Sequence, residues 1–204
     1  MGAALKEMVS TPLYTYEDYY SWDDDVRCEL IDGVVYNMGA PTVWHQDVAG
    51  EIFGQLREFL KGKKCRAYIS PIDVRLKADK RLMMDDTVVQ PDVIVLCDKS
   101  KIDEGKSIKG APDLVIEVIS PSSIKKDKLL KFNQYKNAGV REYWVVDARS
   151  FCVDVYYFNE GTHNVFQMDE MIPVRLLEGC EIDLSEFVPE GFFELIISKE
   201  IIVE

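Results

Sequence analysis

Apolar residues recur at two different spacings along the chain, and the change from one to the other marks its elements. From Val43 to Leu60, Trp44, Val48, Ile52, Leu56 and Phe59 return every three or four positions. That spacing predicts a helix with one buried stripe, capped by Thr42 and stopped near Gly62. A shorter helix is predicted at 14–20, where Thr15 stands three residues before Asp18. Strand spacing takes over at 68–76, where Ile72, Val74 and Leu76 alternate with Asp73 and Arg75. Further strands are expected at 88–96, 142–147, 151–158 and 165–168, with a loop rich in Lys and Gly at 98–111. The run 114–119 is continuous enough to be a central strand. Asp32-Gly33 lies between two short apolar runs and predicts a hairpin, since a type I′ turn needs positive φ at both central residues. Its leading strand carries Glu29 and is expected in the central sheet with the strands of Asp92 and Glu117. A helix is expected from about Ile124 to Ala138, with Gly139 as its left-handed stop. Strand, helix and strand in succession imply a crossover within a partly parallel sheet. The C-terminal stretch from Met171 adds a short strand, a helical turn around 184–187 and an edge segment at 192–203. The class is therefore α/β, with additional antiparallel hairpins.

Composition narrows the class without changing it. The 204 residues are 47% hydrophobic, enough for one core, and 1–204 is expected to be a single domain. No apolar stretch approaches the roughly 20 residues of a membrane span, and 1–10 shows no signal-peptide pattern, so a cytoplasmic protein with no membrane partner is expected. Five scattered cysteines without a CxxC pair read as reduced thiols, not as a disulfide framework or zinc ligands.

A net charge of −12 argues against nonspecific attraction of the whole molecule to a phosphate backbone. The distribution is uneven, however. Residues 14–32 carry seven acids and one arginine, whereas 99–131 carry eight lysines against five acids. The basic stretch reads equally as a nucleic-acid surface or as solvated loops and a helix face.

Two carboxylates sit among strand-forming residues: Asp92, in Gln90-Pro91-Asp92, and Glu117, within 114–119. Such an acid is costly to desolvate alone, and a shared divalent cation would remove the cost. The plainer reading is a turn residue and a strand side chain facing solvent. Asp113 is a rival to Asp92, but four residues along one strand separate it from Glu117 by about 13 Å, too far to share an ion.

Several segments together carry a resemblance: Glu29-Leu30-Ile31-Asp32-Gly33, His45-Gln46, Gln90-Pro91-Asp92, the run from Ala111 to Ser122, and Ala138-Gly139-Val140-Arg141-Glu142-Tyr143-Trp144. In this order they resemble the Uma2 family of restriction-endonuclease-like proteins, over about 14–158. That family is similar to the PD-(D/E)xK nucleases, whose fold is a mixed central sheet flanked by helices. The resemblance implies that Asp92, Glu117 and the Val118 carbonyl hold Mg²⁺, or Mn²⁺ in its place. It also implies divalent-metal-dependent endonuclease activity on nucleic-acid phosphodiesters, DNA before RNA. The superfamily lysine would fall at Ile119, which can neither bind phosphate nor help deprotonate water. In the Uma2 pattern the substitute is Lys131, four residues after Asp127 on one helix face, with Lys128 next in line. Glu29 matches an early acidic position that reaches metal directly or through water. His45 would reach phosphate or water, or merely cap its helix, and Gln90 would orient phosphate beside Asp92. A homodimer is expected, from the demands of cutting two strands and from the aromatics Tyr143, Trp144, Tyr156, Tyr157 and Phe158. The missing lysine and the acidic composition support an alternative: a catalytically degenerate nuclease-fold domain that binds nucleic acid or a protein partner.

Overall fold

Two prolines cut what alternation reads as long strands. Proline has no N–H to give a ladder and is confined to strand ends and edges. Pro71 divides the run 68–76, and Pro91 divides 88–96. The halves go to different sheets.

The computed structural model describes residues 13–22, 27–77, 85–104, 106–119, 130–147 and 149–192. In chain order its helices and strands are α1 (Tyr16–Ser21), β1 (Cys28–Ile31), β2 (Val34–Asn37), α2 (Val43–Phe59), β3 (Arg66–Ile69), β4 (Asp73–Arg75), β5 (Val88–Val89), β6 (Val93–Leu96), β7 (Ile102–Asp103), β8 (Ser107–Lys109), β9 (Leu114–Ile119), α3 (Phe132–Ala138), β10 (Glu142–Asp147), β11 (Cys152–Tyr157), β12 (Thr162–Gln167), β13 (Ile172–Pro173) and β14 (Glu181–Ile182). The central sheet has the order β12-β11-β10-β9-β6-β3. Its β9–β10 pair is parallel, as expected for strands joined through a helix, and its other pairs are antiparallel. A second sheet runs β2-β1-β5-β4-β8-β7, and β13 with β14 makes a small ribbon.

Each face of the central sheet is covered by a different partner. Val48, Ala49, Ile52 and Leu56 of α2 pack on Val93, Val95, Leu114, Ile116 and Trp144. On the opposite face Ile94, Val115, Tyr143 and Val145 meet Tyr135 of α3 and residues of the second sheet such as Ile31, Val74 and Ile108. The result is a mixed central sheet flanked by helices, with extra antiparallel strands. The predicted hairpin forms at Asp32-Gly33, both at positive φ (51° and 75°). The predicted long helix is α2, with Thr42 Oγ1 accepting from the His45 N–H at 3.2 Å.

Three expectations are corrected. Glu29 lies on β1, in the second sheet and not among the central strands. The stretch 98–111 is not a plain loop, because it contributes β7 and β8. Cys65 and Cys97 form a disulfide, with S–S 2.05 Å. The pairing of Arg66 with Leu96 sets these two cysteines across from each other, a proximity that a separation of 32 residues conceals. Cys28, Cys152 and Cys180 are free. Of the helix expected at 124–138, α3 is the described part; 120–129 lie outside the described residues, as does the edge segment beyond Phe192. Among the described residues no helix is long and apolar enough to cross a membrane.

The aromatics that suggested a dimer are largely absorbed within the chain. Tyr143, Trp144 and Tyr157 are buried, and Tyr156 and Phe158 pack edge-on against Phe132 at 4.9 and 5.1 Å.

Glu142, at the start of β10, is also buried. Burial raises its pKa above the ordinary value, although donors from the Trp144 ring and the Leu176 N–H oppose the shift. With the folded value raised, the native state holds the proton more tightly than the unfolded chain. Stability from this group therefore falls as pH rises from the usual carboxylate range through the raised value. Glu142→Gln does not titrate, so it should destabilise more at pH 5 than at pH 8, as read by urea denaturation. An equal loss at both would contradict the assignment.

Candidate functional site

At one end of the central sheet the side chains meet from both of its faces. Continuing the β6–β9 register by one residue beyond Val93 and Ile116 sets Asp92 across from Glu117. Asp92 stands on a bend, and its carboxylate turns to the chain beside it: Oδ2 accepts the Val118 N–H at 2.8 Å and pairs with His45 Nε2 at 3.1 Å. His45 lies in the first turn of α2, so Asp92 is held from that helix's side. The two side chains are about 15% exposed, which leaves this corner open to solvent.

Glu117 engages the other side. Alternation along β9 gives it the same face as Val115, toward α3. Its Oε1 accepts from Lys131 Nζ at 2.8 Å and from the Tyr135 hydroxyl at 2.6 Å. Lys131 and Tyr135 are four residues apart and so share one helical face. Lys131 Nζ also lies 2.6 Å from Glu29 Oε1, and that same oxygen accepts the Gln90 N–H at 3.0 Å. Glu29, Glu117 and Lys131 are almost wholly buried. Two carboxylates in that setting repel, and the ammonium between them is what makes the arrangement tenable. The Tyr135 hydroxyl is held far above its usual pKa by burial and by Glu117, so it remains a donor.

Gln90 is fixed from its side-chain end. Its Nε2 donates to Asp73 Oδ1 at 2.9 Å and to the Tyr19 hydroxyl oxygen at 3.2 Å, while the Tyr19 hydroxyl donates to Asp73 at 3.0 Å. Its Oε1 is buried and accepts nothing among the described residues.

Seven of the residues singled out in the sequence thus belong to one connected network: Glu29, His45, Gln90, Asp92, Glu117, Val118 and Lys131. Val118 takes part through its N–H. Asp127 and Lys128 lie outside the described residues. Asp113 is placed elsewhere, accepting the Cys97 N–H at 2.8 Å. Sequence reasoning missed Tyr135, although its spacing from Lys131 was a usable signal. It also missed Tyr19 and Asp73, which come from distant segments and leave no such trace.

A family model described as "Putative restriction endonuclease", Uma2, matches residues 16–185. The chain belongs to the Uma2 family. An uncharacterized protein of Synechocystis is 28% identical over 152 residues, covering 73% of this chain and 76% of that one. A crystal structure described as a putative nuclease belonging to DUF820, from Anabaena variabilis, superposes with a TM-score of 0.68 at 20% identity. It covers 85% of this chain and 96% of the other. The family match and this likeness together establish the restriction-endonuclease-like fold of this Uma2 chain.

The fold family implies a divalent cation at this end of the sheet. As arranged, the donors do not fit one. Glu117 Oε1 is already taken by Lys131 and Tyr135, and Asp92 Oδ2 by Val118 and His45. Among the described residues no three acidic, histidine or cysteine side chains form a group able to hold a metal ion.

Proposed function

We propose that this chain is a nuclease-fold domain that binds nucleic acid, and that its carboxylate centre is closed by its own lysine instead of being set for hydrolysis. One observation carries the reading: the Lys131 ammonium sits within hydrogen-bond distance of both Glu29 and Glu117, filling with an internal cation the space between two buried acids. Ile119, where the superfamily has its lysine, agrees with it. Binding then needs no divalent ion. Labelled duplex DNA, single-stranded DNA and RNA are expected to raise anisotropy in the presence of EDTA. The expected affinity lies in the nonspecific range, about 10⁻⁴ to 10⁻⁶ M, and weakens with salt. No binding of any of the three, at any salt, would refute the proposal.

A second reading is Mg²⁺- or Mn²⁺-dependent endonuclease activity, on DNA in particular. It is favoured by the convergence of Glu29, His45, Gln90, Asp92, Glu117 and Lys131 from separate segments of the chain. On that reading the metal must enter beside the Lys131 ammonium, whose charge opposes it and whose hold on Glu117 Oε1 it has to share or displace. Metal would then compete with an ion pair, and cleavage would depend on Asp92.

A further inference from the structure

The far end of α2 carries a second charged feature. Residues 57–66 read Arg-Glu-Phe-Leu-Lys-Gly-Lys-Lys-Cys-Arg, five cations against one acid, in a chain of net charge −12. Gly62 takes φ 74°, which lets the chain fold back immediately after the helix, and the Lys63 N–H closes on the Leu60 carbonyl at 3.0 Å. That reversal gathers Arg57, Lys61, Lys63 and Arg66 around a cavity of about 340 Å³, with Leu60 and Ala67 among its apolar lining.

Little among the described residues neutralises these cations. Lys61 lies 3.8 Å from Glu58 with both side chains nearly 80% exposed, an arrangement worth little. Lys63 stands over the Phe59 ring at 3.1 Å and Arg57 over Phe53 at 5.6 Å, contacts that anchor each cation without a counter-anion. Arg66 is exposed and makes no ion pair among the described residues. The end of a helix carries only about half a negative charge, so compensating the α2 dipole leaves most of this positive charge unspent.

An excess of guanidinium and ammonium groups around a concave site is the chemistry that receives phosphate. Over most of its surface an acidic molecule repels a polyanion. From His45 in the first turn of α2 to Arg57 in its last, the axis rises about 18 Å at 1.5 Å per residue. That is roughly five nucleotides at 3.4 Å each along one strand. We infer that the pocket at the C-terminal end of α2 grips the phosphate backbone of bound nucleic acid a few nucleotides away from the carboxylate centre, supplying the affinity that the carboxylates oppose. The inference rests on the nucleic-acid-binding reading above.

The test is a salt titration of labelled duplex binding to the wild type, to Lys61→Gln/Lys63→Gln/Arg66→Gln, and to a control of equal charge change, Lys106→Gln/Arg149→Gln/Arg175→Gln. All six positions are exposed. The pocket variant should bind about tenfold more weakly or worse at low salt. Its slope of log affinity against log salt should be shallower by about 2.7, at about 0.9 for each phosphate that is no longer neutralised. The control should stay within about twofold, since net charge alone acts weakly at a distance. A pocket variant that matches the control overturns the inference while leaving the binding reading standing. Displacement of duplex by poly-glutamate as readily as by unlabelled DNA also overturns it, in favour of an acidic protein segment. A wild type that binds no nucleic acid defeats both.

Discussion

Lys131→Met should cost the protein about 3–5 kcal/mol of folding stability, the usual loss when one partner of a buried ion pair is removed and an uncompensated charge remains. Methionine keeps much of the volume of the lysine stem, so packing alone would account for little of that loss. What disappears is the cation between Glu29 and Glu117, at 2.6 and 2.8 Å, in surroundings that admit almost no water. The loss should be visible as a lower urea midpoint with an unchanged slope. Adding Glu29→Gln to Lys131→Met should recover part of it, because the second change removes one of the stranded carboxylates. A loss below about 1 kcal/mol, or strict additivity of the two changes, would show that the three groups do not act as a unit. It follows that lost activity in any Lys131 variant can be interpreted only after its folded fraction has been measured.

Trp144→Ala should be of similar size, about 3–5 kcal/mol, the range for deleting a large aromatic from a core. Trp144 is fully buried on β10, in the cluster between the central sheet and α2. The variant also removes the ring N–H that donates to Glu142 Oε1 at 2.7 Å, leaving a buried acid short of a donor. Trp144→Phe separates the two contributions, since it retains most of the apolar volume and loses only the donor. It should cost clearly less than the alanine change in the same denaturation experiment. Equal costs would mean that the hydrogen bond, and not the packing, dominates at this position.

How far the chain could be read in advance varied with the range of the forces involved. Local signals were sufficient for α2, because its stripe and its Thr42 cap lie within one segment. They were sufficient also for the Asp32-Gly33 turn, where positive φ is a property of two adjacent residues. Pro71 and Pro91 were visible, but their consequence was not: the alternation on either side looks continuous, and only pairing partners far away in sequence decide which sheet each half joins. The same limit hid the Cys65–Cys97 disulfide, which depends on the register of β3 against β6. The residues of the site were legible because their motif matched a family pattern. Their connections were less so. Nothing local indicates that Glu29 crosses from a second sheet, that Tyr135 shares Glu117 with Lys131, or that Asp92 is drawn toward His45 and the Val118 N–H.

The claim that the centre is closed is tested most directly by one assay: cleavage of labelled DNA and RNA by purified wild type and by Asp92→Asn, with Mg²⁺ or Mn²⁺ present and with EDTA. Asparagine keeps nearly the shape of aspartate, and because its side-chain oxygen can still accept the Val118 N–H, the fold should survive the change. The account predicts that neither protein cuts any substrate under any of these conditions, while both retain nucleic-acid binding. Metal-dependent cleavage by the wild type that vanishes in Asp92→Asn would contradict it and establish the hydrolytic reading in its place.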